Sequence, residues 1–162
     1  AVVTASRPHG RPAAERALER RLVTALLMEP DTFDAAAQRV APEDFSETDL
    51  RGLAERLWTA PETLYTDEAT GALARELVAA AESDMNWRAE AAGAARRLEQ
   101  RRLKGRQRVI REAMSTTADF ETIRALQAEA LTIGNRLGEL EREIGAGADS
   151  RATFPTETTG RS

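Results

Sequence analysis

The chain has no cysteine and a single histidine. Zero Cys excludes a disulfide framework and thiolate metal sites. His9, beside Pro8 and Gly10, belongs to no cluster of ligand residues. Aromatic residues make up 4% of the chain, and much of its 41% hydrophobic fraction is alanine. Alanine favours helix but buries little area, so neither a large core nor an aromatic-lined pocket is expected. No apolar run approaches the ~18 residues of a membrane span, and no secretory apolar segment is present. Glycine-rich phosphate loops, His/Glu metal spacings and nucleophile elbows are missing as well. The paired acids Glu43-Asp44 and Asp67-Glu68, and Glu82 near Asp84, read as residues at positive helix starts. Thr66-Asp67-Glu68 lacks the alternating ligand spacing of a calcium loop. With no nucleophile-base pair in view, this stretch is expected to be non-catalytic and to hold no metal and no cofactor.

What the chain does have is a long helical seam. Ile123, Leu126, Ala130, Ile133, Leu137, Leu140 and Ile144 alternate by three and four residues, the a/d spacing of a helix built to lie along another. The partner in the same chain is the basic run 96–111, and residues 115–119 form the turn between them. The second half is therefore expected to be an antiparallel helical hairpin. Its first arm should be the end of a long helix that leaves the bundle near Trp87.

The first half reads as a small helical bundle. Residues 1–12 hold Pro8, Gly10 and Pro12 and look like the end of a linker. A first helix from Ala13 carries Leu18, Leu22, Ala25, Leu26 and Glu29 inward, with Val23 and Leu27 widening the stripe, and Pro30 ends it. Asp31 is expected to cap a second helix bearing Phe33, Ala36, Ala37 and Val40, closed by Pro42. Ser46 with Asp49 resembles a capping box for a third helix carrying Leu50, Leu53, Ala54, Leu57 and Trp58, ended by Pro61. Residues 62–71 read as a loop before a fourth helix with Leu73, Leu77, Val78 and Ala81, and Ser83-Asp84 should break and recap the chain. No stretch alternates as a strand does, so the class is all-α. The expected divisions are 1–12 linker, 13–90 bundle, 91–145 hairpin and 146–162 a disordered tail rich in Gly, Ala, Thr and Ser. A start at Ala1 in a polar Pro/Arg stretch fits a piece of a longer cytoplasmic protein.

The net charge of -4 hides a strong asymmetry. Between residues 96 and 111, Arg96, Arg97, Arg101, Arg102, Lys104, Arg106, Arg108 and Arg111 face a single acid, Glu99. Like charges at i,i+4 each destabilise a helix by roughly 0.2–0.5 kcal/mol. With the turn centred near Thr117, Arg96 and Arg97 come level with Glu139 and Glu141, whereas the stretch 101–108 meets only Glu129. The run is either a solvated basic face or a docking surface for something acidic, a protein helix before a phosphate backbone. No aromatic interleaves with the arginines, which disfavours direct nucleic-acid binding. At the turn end, Ile110, Met114, Phe120 and Ile123 crowd together. They form either a partner-binding tip or a plug that closes the hairpin.

The run ERALERRLVTALLMEP at 15–30, followed by VAPEDFS at 40–46, resembles the start of a particular bundle. It is shared by the C-terminal domain of bacterial DnaG-type primases and the N-terminal collar domain of DnaB-type replicative helicases. The run RRLEQRRLK at 96–104, then Asp119-Phe120 leading to Leu126-Gln127 and the stretch 137–144, is similar to the arm and terminal helix that close the primase. This resemblance covers roughly 15–144. It implies a helicase-binding module that recruits primase to the replication fork for primer synthesis by upstream domains, monomeric until helicase is added. The implied contact set is Ile110, Met114, Phe120, Ile123 and Leu126 as anchors, with Arg101, Arg102, Lys104, Arg106 and Arg108 steering encounter. The acidic tail of a single-strand-binding protein is a candidate competitor for the basic arm. The alternative is the oligomerisation domain of the helicase itself, and a third reading is a basic hairpin that binds nucleic acid. Gly93, Gly105, Gly134 and Gly138 depart from the usual pattern, each costing about 1 kcal/mol relative to Ala in a helix interior.

Overall fold

Among the described residues, Pro30, Pro42 and Pro61 each open a short turn, and Pro30 and Pro61 do so just past the end of a helix. The computed structural model describes residues 13–152. Among them are six α-helices and no strand, an all-α fold. Helix α1 spans Ala13–Met28, α2 Phe33–Ala37, α3 Thr48–Thr59, α4 Glu68–Ala79, α5 Trp87–Thr116 and α6 Phe120–Ala152. Single 3-10 turns begin at Pro30, Pro42 and Pro61. Proline's fixed φ suits a first helical position, where its missing N–H is not needed.

The chain divides into two compact units, Ala1–Glu99 and Gln100–Ser162. The division falls inside α5 rather than at the expected 90/91 because Ala91, Ala94, Ala95 and Leu98 belong to the core of the first unit. That core also takes Leu22, Val23 and Leu26 from α1, Phe45 from the connection, Leu50 and Leu53 from α3, and Ala74 and Leu77 from α4. Trp58 braces it edge-on, its ring 4.9 Å from that of Phe33 and 6.2 Å from that of Phe45.

Several helix starts differ from the sequence expectation. Asp31 does not cap α2. It lies within the turn Pro30–Thr32, which runs directly into α2, and α2 ends at Ala37, well before Pro42. The expected box of Ser46 with Asp49 does not form. The cap position of α3 is Glu47, whose side chain makes no capping bond, while Ser46 donates to the carboxylate of Glu19 on α1. The loop expected at 62–71 is shorter, because Asp67 caps α4 by accepting the Thr70 N–H at 3.0 Å. Gly71 lets α4 start close to the preceding turn, since a Cβ would come 3.3 Å from the Tyr65 backbone. Asn86, rather than Ser83-Asp84, caps α5 by accepting the Ala89 N–H at 3.2 Å. Helix α6 continues to Ala152, past the expected end at 145. The expectations for 1–12 and for 153–162 lie outside the described residues.

Candidate protein-docking hairpin

The second unit is built from the distal half of α5 and α6. Helix α5 closes at Thr116, and α6 opens at Phe120 under a cap from Asp119. The Asp119 carboxylate accepts the Thr122 N–H at 3.1 Å and the Thr122 hydroxyl. These bonds hold that carboxyl below its ordinary range, the hydroxyl contributing most. The turn lies where the sequence placed it, since a short acid ahead of an apolar period is a strong start signal.

The seam of α6 faces inward. Ile133, Leu137 and Leu140 are buried, and Ile133 and Leu137 form a small core with Ile110 of α5. Leu103, Met114, Leu126 and Ala130 pack against that core. Ile110 is 2% exposed, so it is a strut of the hairpin rather than part of an accessible tip. Met114 and Leu126 are likewise engaged, and Ile123 is half-buried. Phe120 is the exception: 74% of it is exposed, at the first position of α6. Leu131 and Val109, which the sequence reading did not single out, are also exposed at 68% and 52%. Leu131 sits off the three/four alternation, and that offset was the available signal.

Among the basic residues, Arg106 is answered by Glu129, the acid that the register placed level with it. The pair is bidentate, Nε to Oε1 at 2.6 Å and Nη2 to Oε2 at 3.0 Å. Glu129 pushes the guanidinium up, and Arg106 in turn holds the Glu129 carboxyl below its ordinary value. Arg102, Lys104, Arg108 and Arg111 are exposed, and Arg101 is half-buried. Glu139, expected to answer the basic arm, accepts instead from Arg136 on its own helix at 3.0 Å. A partner one turn away on the same helix holds the acid at a lower entropy cost than a long side chain across the hairpin.

The first unit has an open groove of about 570 Å³ between α3 and α4, lined by Asp49, Gly52, Glu55, Leu73 and Glu76 among others. Among the described residues no group of three His, Cys, Asp or Glu could hold a metal ion, and no helix is long and apolar enough to cross a membrane. Comparison with protein-family models, with curated proteins and with solved structures finds no match for this chain.

Proposed function

We propose that this chain is a non-catalytic docking domain of a bacterial DNA primase, and that its α5–α6 hairpin binds the N-terminal collar of a DnaB-type replicative helicase. In this reading the bundle carries the hairpin, and the upstream domains of the parent protein make RNA primers at the fork the helicase opens. The observation that carries it is Phe120, 74% exposed at the start of α6, in a hairpin whose core is filled by Ile110, Ile133 and Leu137 without it. An exposed aromatic on a hairpin whose own core is filled is available as an anchor for another protein. The resemblance of 15–144 to the primase domain supplies the identity of that partner. The exposed cations Lys104, Arg108 and Arg111 of α5 fit the role of steering encounter.

Sedimentation and pull-down test the reading. The chain alone is expected to sediment as a monomer and to co-elute with the replicative helicase of the same cell. Phe120→Ala with Ile123→Asp should weaken that capture while circular dichroism stays unchanged. Self-association without helicase capture would favour the helicase collar domain instead. Binding to random oligonucleotides that weakens steeply with salt would favour a nucleic-acid-binding hairpin.

A further inference from the structure

The two broad sides of the α5–α6 hairpin carry different charge. Successive residues of an α-helix are turned by about 100°, so positions two or five apart lie nearly opposite each other. The Arg106–Glu129 pair marks one side. On α6, Glu121 and Glu139 lie eight residues before Glu129 and ten after it, and both are turned from it by about 80° in the same sense. The carboxylates of this helix from the turn to Glu139 therefore gather on that side. On α5, Lys104 and Arg108 lie two residues from Arg106, and Arg111 five, so all three sit about 140–200° away from it. Beside them on α6 come Ile123, Arg124, Gln127, Leu131 and Gly134, which lie six, five, two, two and five residues from Glu129 and are turned from it by about 120–220°, with Phe120 at the turn about 180° away.

That second side therefore has a wall of three cations and a facing strip with no acid between the turn and Gly138. Lys104, Arg108 and Arg111 are exposed, and among the described residues none of them has a carboxylate partner. Ile123 is half-buried, and Gly134 has no neighbour within 4 Å of where a Cβ would sit. The cations are spaced four and three along α5, which is the period of carboxylates on a helix lying alongside it.

We infer that the side of the hairpin opposite the Arg106–Glu129 pair is the seat of an amphipathic helix whose apolar stripe is edged with carboxylates. The inference rests on the reading of the hairpin as a docking arm, and it names the chemistry of the partner surface. The apolar stripe lies over Ile123 and Gly134, where the missing side chain admits a close approach. The carboxylates meet Lys104, Arg108 and Arg111, while Arg106, already answered by Glu129, stays out of the contact. A helix fits better than a nucleic-acid strand, because the cations keep the four-and-three spacing of a helical partner and Phe120, at the turn, is the single ring on this side.

The test uses the full chain and a synthetic helix with leucines at heptad a and d and glutamates at e and g, followed by fluorescence anisotropy. The chain should bind this peptide and discriminate against its lysine-edged counterpart by at least about tenfold. Lys104→Glu with Arg108→Glu and Arg111→Glu should invert that preference. Gly134→Gln should abolish binding, whereas Thr132→Gln, two residues away on the other side of α6, should leave it intact. Equal binding of the two peptides, or equal effects of the two glutamine variants, would overturn the seat. So would a random single-stranded oligonucleotide that displaces the peptide and binds the Gly134→Gln chain unchanged. The same variants separate this inference from the reading it rests on. Helicase that binds Gly134→Gln as well as wild type removes the seat and leaves the docking domain. Peptide binding with no helicase binding removes the helicase and leaves the seat.

Discussion

Glu19 holds Ser46, 27 residues further along the chain, by both its backbone N–H and its hydroxyl. The carboxylate is fully buried. It accepts the Ser46 N–H at 3.0 Å and the hydroxyl at 2.7 Å, with a longer bond from the Glu47 N–H at 3.4 Å. Glu19 of α1 thereby caps α3 from outside, supplying at a positive helix end the acceptor that no local residue provides. A buried carboxylate is tolerated here because several donors converge on it. Removing it leaves those donors unmet. Glu19→Ala is therefore expected to cost about 1.5–3 kcal/mol in urea unfolding. Ser46→Ala, which removes one of the donors and leaves the N–H bonds, should cost less. A Glu19→Ala variant as stable as wild type would show that water can replace the carboxylate.

Ile110 and Phe120 should behave oppositely when shortened. Ile110 is buried against Ile133 and Leu137, so Ile110→Ala opens a cavity in the hairpin and is expected to cost about 2–5 kcal/mol. Phe120 is mostly exposed, so Phe120→Ala should shift stability by no more than about 0.5 kcal/mol. Its cost should appear instead in helicase capture. Paired denaturation and binding measurements on the two variants check both halves, and a large stability loss for Phe120→Ala would return it to the hairpin core.

Two helix caps should make stability depend on acid pH. The Asp67 carboxyl is held below its ordinary value chiefly by the Thr70 hydroxyl and then by the Thr70 N–H, and Asp119 is held down in the same way by Thr122. A carboxyl whose pKa is lower folded than unfolded stabilises the fold above its unfolded value, about 3.9 for Asp. That contribution disappears as pH falls through the folded value. Melting followed by circular dichroism should thus show the starts of α4 and α6 loosening below about pH 4. Asn caps a helix without titrating, so Asp67→Asn with Asp119→Asn should flatten this dependence while leaving neutral-pH stability close to wild type. An unchanged acid slope in the double variant would mean that other carboxylates govern it.

The periodic parts of this fold were legible in the order of residues alone. The alternation from Ile123 to Leu140 implied a paired helix, and Ile133, Leu137 and Leu140 are indeed buried. The turn near Thr117 set Glu129 against the middle of the basic run, and Arg106 takes it. What the sequence hid were contacts between distant residues. Ser46 looked like a local cap because nothing in its neighbourhood reveals that Glu19 competes for its hydroxyl. Glu19 itself lies on the apolar stripe, three residues before Leu22, and a charge on such a stripe is a legible sign of buried pairing. In the sequence Ile110 fits a tip or a plug equally, because the direction of its side chain depends on the register of both arms, and its burial makes it the plug.

The glycines of the helices should divide by what surrounds them. Gly105 lies inside α5 with open space where a Cβ would go, so its flexibility serves no contact within the chain. Gly105→Ala is expected to stabilise the protein by up to about 1 kcal/mol, because alanine loses less backbone entropy on entering a helix. Gly71 is different. Its Cβ would come within 3.3 Å of the Tyr65 backbone, and backbone cannot step aside as a flexible side chain can. Gly71→Ala should therefore lower the melting temperature despite the same gain in helix propensity, as the turn at 64–66 is pushed off the start of α4. Thermal melts of the two single variants decide the matter. If both raised the midpoint, the close approach of Tyr65 to α4 would be wrong.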